Sequence, residues 1–91
     1  MRIVFKYKLD NSTSILSLPK SAIIRKVALQ HGHPTVWAEV EDKEERRMYE
    51  VRSFCTGEPL PKDIETYDFL YTVLCSGGEI ILHFYGKWLN Q

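Results

Sequence analysis

The chain has 91 residues, 44% of them apolar and 26% charged, with twelve basic and twelve acidic side chains. That size supports one hydrophobic core and a single domain over residues 1–91. The neutral balance argues against a general nucleic-acid binder, which carries a basic excess, and leaves room for a small anionic ligand.

No apolar run approaches the roughly 18–20 residues that span a bilayer, and the charges spread through MRIVFKYKLD do not make a signal sequence. A cytoplasmic protein without membrane attachment is expected. Cys55 and Cys75 are too few for a disulfide framework and read as reduced thiols. There is no CxxC or HxxxH spacing, so neither a metal nor a cofactor is expected.

Residues Arg2 to Leu9 alternate, with Ile3, Phe5, Tyr7 and Leu9 on one face, as a half-buried strand does. Asp10, Asn11 and Ser12 form a turn, and Thr13 to Leu18 pairs back as a hairpin that Pro19 ends. Ser21 to Gln30 reads two ways. Ile23, Ile24, Val27 and Ala28 sit at helical spacing, while the β-branched content favours a strand. After a turn at His31 to Pro34, Thr35 to Glu41 alternates, placing Val36, Ala38 and Val40 opposite Thr35, Trp37 and Glu39. Glu41 to Arg47 is a charged, solvated tip.

Met48 to Cys55 forms the next strand, with Tyr49, Val51, Ser53 and Cys55 on one side. Thr56 to Pro61 is a loop stiffened by two prolines. Ile64 to Tyr67 suggests one helical turn. Phe69 to Cys75 and Glu79 to Tyr85 form a hairpin around Ser76, Gly77 and Gly78, and the tail from Gly86 to Gln91 carries no pattern. The whole predicts a mainly β fold, a small antiparallel β-sandwich or partly open barrel of about seven short strands. Its core is expected to draw on Ile3, Phe5, Tyr7, Val27, Leu29, Val36, Ala38, Val40, Val51, Ile80, Leu82 and Phe84.

No catalytic, phosphate-loop or metal motif is present in the sequence. Trp37 is core if its sheet is covered on both sides, and a stacking or docking surface if it is not. Arg52 offers a planar fork suited to phosphate. Thr56 and Gly57 begin a loop whose N–H groups could face an anion. His83, within ILHFY, shares a face with Ile81 and Tyr85. Hairpin pairing through the charged tip would bring Trp37 and Arg52 together. Trp37, Arg52, Thr56, Gly57 and His83 are therefore the expected ligand site. His31 and His33 read as exposed turn residues.

The segments FKYKL, LPKSAIIRKV, PTVWAEV, TGEPLP and SGGEIILHFY together resemble short phage-encoded proteins of uncharacterised function. In those relatives the segment matching Ala22 to Gln30 reads as a strand, which turns the ambiguity toward β. The chain departs from them in its longer charged tip and its Gly-Lys-Trp tail. The resemblance implies an accessory protein in the host-cell cytoplasm that antagonises antiviral defence. Three mechanisms follow: sequestration of a nucleotide-derived immune signal, direct inhibition of a host defence protein through an exposed aromatic face, or enzymatic destruction of the signal. Without an acid–base or metal constellation, a non-enzymatic sequestering protein ranks first. Exposed sheet edges add the expectation of a homo-oligomer, a dimer above all.

Overall fold

Period-two alternation becomes seven strands in the computed structural model, which describes residues 1–89. They are β1 (Arg2–Lys8), β2 (Thr13–Pro19), β3 (Ile23–Gln30), β4 (His33–Glu41), β5 (Arg46–Cys55), β6 (Asp68–Cys75) and β7 (Ile80–Trp88). Single 3₁₀ turns at Ile64–Thr66 and Ser76–Gly78 flank β6. Two antiparallel sheets result, one ordered β1-β4-β3 and the other β2-β5-β7-β6. They fit a small β-sandwich, as the sequence predicts.

Two expected hairpins are instead crossings between sheets. β1 pairs with β4 rather than β2, and β5 pairs with β2 and β7 rather than β4. A strand with one apolar face fills the same interior whether its chain turns back beside it or arches to the opposite sheet, so alternation does not distinguish the two. Leu9, 4% exposed, plugs the first crossing, where its N–H donates to the Pro34 carbonyl at 3.0 Å. The β6–β7 hairpin forms as expected.

The helix-or-strand ambiguity at residues 21–30 has a local cause. β3 is a strand whose register against β4 shifts between Ile24 and Lys26, so Arg25 is an extra residue. The bulge leaves Ile24 and Val27, three apart, both packed against the core. That spacing imitates a helix.

Leu18, Val36 and Ala38 are fully buried, and Val27, Val40, Val51 and Phe84 nearly so. Ile3, Tyr7, Leu29 and Leu82 pack partly buried around them. Phe5 and Ile80 are corrections: they are 54% and 46% exposed, because Phe5 lies on a rim strand and Ile80 opens β7 beside the hairpin turn. The tail is a second correction, since β7 runs on to Trp88, whose ring meets Tyr49 edge-on at 5.0 Å. Asn90 and Gln91, the end of that tail, lie outside the described residues.

Candidate functional site: two outward sheet faces

The five expected site residues divide between the two outer faces. Arg52 and Phe54 point outward from β5, and His83 and Tyr85 from the neighbouring β7, in the pairs Arg52–Tyr85 and Phe54–His83. The loop after β5 folds back on itself: the Glu58 carboxylate accepts the Cys55 N–H at 2.9 Å, and the Glu58 N–H donates to the Cys55 carbonyl at 3.0 Å. Gly57 permits this turn with φ of 88°. The next segment delivers Tyr67 over the sheet, and the outward-facing Phe54 is only 5% exposed.

His83 clasps this region. Its Nε2 lies 2.7 Å from the Thr56 hydroxyl and its Nδ1 lies 2.9 Å from the Thr72 hydroxyl. A neutral imidazole has one donor and one acceptor nitrogen, so one threonine donates while the other accepts. Both ring nitrogens are thus engaged in tying the loop to β6. The Arg52 guanidinium stacks on Phe54 at 5.1 Å and on Tyr67 at 5.9 Å. Beside them lies an open cleft of about 250 Å³ lined by Thr56, Gly57, Leu60, His83 and Tyr85. Thr56, Gly57 and His83 come together, and Arg52 shares their face.

Trp37 does not join them. It points outward from β4, the central strand of the other sheet, and the expected contact with Arg52 fails because β4 and β5 belong to different sheets. Trp37 is half-buried and lies outside the core cluster. The register places Lys6 on one side of it and Lys26 on the other. One step along the same face, Thr35 lies between Lys8 and Ala28. The small Ala28 side chain borders a hollow that Trp37, Lys26 and Leu29 complete.

The turn joining β3 to β4 closes this end of the face. His31 and Gly32 have φ of 51° and 80°, the left-handed pair that a tight two-residue hairpin requires. His31 and His33 then border a bowl of about 310 Å³ with Lys6, Lys8, Gln30 and Thr35. No carboxylate of the described residues lines it. The Gln30 side-chain oxygen accepts from Lys6 Nζ at 2.8 Å. The buried Thr35 hydroxyl donates to the His33 carbonyl at 3.0 Å.

At the other end of the face a carboxylate offsets part of the positive charge. Glu39 accepts from Arg2 Nε and Arg25 Nη2, each at 2.8 Å. Those hydrogen bonds, Arg2's first, hold the Glu39 carboxyl below its usual range. Lys6, Lys8 and Lys26 have no carboxylate partner among the described residues. Positive charge therefore collects around Trp37 and the bowl, although the chain is neutral overall.

A family model described as a domain of unknown function, DUF7352, matches residues 1–91. The chain belongs to this family. No curated protein and no solved structure matches it. No helix among the described residues is long and apolar enough to cross a membrane.

Sequence reasoning passed over Lys6, Lys8, Lys26 and Gln30 and treated His31 and His33 as bland turn residues. The outward placement of Lys6 and Lys8 was readable from alternation in β1. Their convergence on Trp37 depends on the β1-β4-β3 pairing, which joins distant segments.

Proposed function

We propose that this chain is a non-enzymatic binding domain that captures a small nucleotide-like ligand on the outer face of the three-stranded sheet. Trp37 is the platform for the base. Lys6, Lys8 and Lys26 hold the phosphate, and the His31–His33 turn walls the bowl. The carrying observation is the set of three lysines without carboxylate partners around a half-buried tryptophan. Base stacking on an aromatic side chain is worth about 1–3 kcal/mol. A charge-assisted hydrogen bond contributes roughly as much.

This reading keeps Trp37 as the anchor and replaces Arg52, Thr56, Gly57 and His83, which hold the other face together, with the lysines. Sequestration of an immune signal in a host cytoplasm, as an act of phage counter-defence, rests on the sequence resemblance alone.

Titration of tryptophan emission with mono-, di- and cyclic oligonucleotides tests the proposal. Trp88 contacts Tyr49 in the other sheet, so ligand-dependent quenching should vanish in Trp37→Ala. Mass analysis should recover the ligand unchanged. A hydrolysed ligand would make the protein an enzyme, and quenching that persists without Trp37 would move the site.

A second reading has its own observation. Phe69 and Leu74 are 55% and 62% exposed on the outer face of the four-stranded sheet, where Phe69 meets Tyr85 edge-on at 5.3 Å. An exposed aromatic cluster of this kind anchors protein partners. Binding of a host protein that Phe69→Ala abolishes and Trp37→Ala leaves intact would favour it.

A further inference from the structure

The strand β2 has one free edge. Among the described residues β2 pairs only with β5, and in an antiparallel ladder alternate residues turn their backbone groups toward or away from the partner. The Ser53 N–H donates to the Ser12 carbonyl at 2.9 Å, and the Met48 carbonyl turns to Leu89 at 3.0 Å. This phase directs Ser14, Leu16 and Leu18 toward β5 and leaves the N–H and C=O groups of Thr13, Ile15 and Ser17 facing outward. Arg46 caps the Ser17 carbonyl at 2.8 Å. No backbone bond from Thr13 or Ile15 runs to any element other than β5 among the described residues.

The remaining edges are guarded. β1 carries Arg2, Lys6 and Lys8, which repel a second copy of the same strand. β3 and β6 close on each other, with the Tyr71 hydroxyl donating to the Arg25 carbonyl. β2, TSILSLP, contains no charged residue, and its outward Ile15 is 52% exposed.

We infer that β2 is the interface for a second copy of this chain, the two strands pairing antiparallel about a two-fold axis at Ile15. A two-fold contact must be self-complementary, and this register is. Ile15 exchanges both backbone bonds with its counterpart. Thr13 stands opposite Ser17 of the second copy, donor to acceptor, once the Arg46 guanidinium swings aside. Of the outward residues Thr13, Ile15 and Ser17, only an axis at Ile15 sets all three opposite one another. The interface does not depend on the ligand site, which lies on the other sheet.

Sedimentation equilibrium of the full chain, from micromolar to sub-millimolar concentration, tests this inference. The wild type should reach twice the chain mass. Ile15→Lys sets two cations face to face and should give the monomer, with the far-ultraviolet spectrum unchanged. Ile15→Pro removes only an outward N–H and should do the same. A monomeric wild type, a dimer indifferent to Ile15→Lys, or a dimer abolished by Phe5→Lys alone would overturn the inference. Where Ile15→Pro fails to fold, Ile15→Lys decides.

Discussion

Trp37 stands on a central strand with a lysine on either side, outside the packed core, so its removal should separate binding from folding. Trp37→Ala is expected to keep its melting temperature and to lose about 1–3 kcal/mol of ligand affinity; a loss of the fold would make the side chain structural. Gly86 shows the opposite dependence. It is buried on β7, and an added Cβ would lie 2.5 Å from the Tyr49 ring. Gly86→Ala should therefore cost roughly 1–3 kcal/mol or more by chemical denaturation, because the edge-on Tyr49–Trp88 pair leaves the ring little room. Burial, helped by Asp68, pushes the Tyr49 hydroxyl up to about 12. A raised pKa contributes stability that is complete below the ordinary tyrosine value near 10 and is lost as pH rises toward 12. Melting temperatures should fall across that window, and Tyr49→Phe should flatten the fall; equal slopes in the two proteins would remove Tyr49 from the account.

At the scale of strands, alternation announced β1, β4 and β5, and the glycines announced the β6–β7 turn, because both signals are local. Partner choice was not legible. Leu9 and the charged tip let the chain arch between sheets, and nothing in a period of two separates an arch from a hairpin. The same gap misplaced Arg52 beside Trp37, and it hid the lysines of β1 and β3 that surround Trp37. The Arg25 bulge hid a strand behind helical spacing. Leu18, fully buried on β2, was absent from the expected core because its neighbours alternate only weakly. Leu18→Ala should cost about 2–5 kcal/mol by urea denaturation, since it leaves a cavity between the sheets. The clasp at His83 calls for a different outcome. His83→Ala should raise amide exchange in residues 56–61 and leave nucleotide affinity unchanged. A matching loss of affinity would return the ligand site to the four-stranded sheet.

Across the whole molecule, a formal charge of zero conceals a division of charge. Glu39 pairs with Arg2 and Arg25 at one end of the three-stranded sheet and offsets one of their two charges, while three lysines at the other end stay without carboxylate partners among the described residues. Net charge gave no hint of an anion site because it sums over faces that never meet. Attraction between this face and a phosphate should weaken as salt rises, since exposed charges are screened over about 8–10 Å at physiological ionic strength. Isothermal titration of a nucleotide panel into the wild type and into a Lys6→Glu, Lys26→Glu variant shows whether these lysines hold an anion. The wild type should bind at least one nucleotide stoichiometrically and in a salt-sensitive way, with affinity weakened at least tenfold in a variant that melts normally. Equal affinity in the two proteins, or no heat from any nucleotide with the wild type, would contradict it.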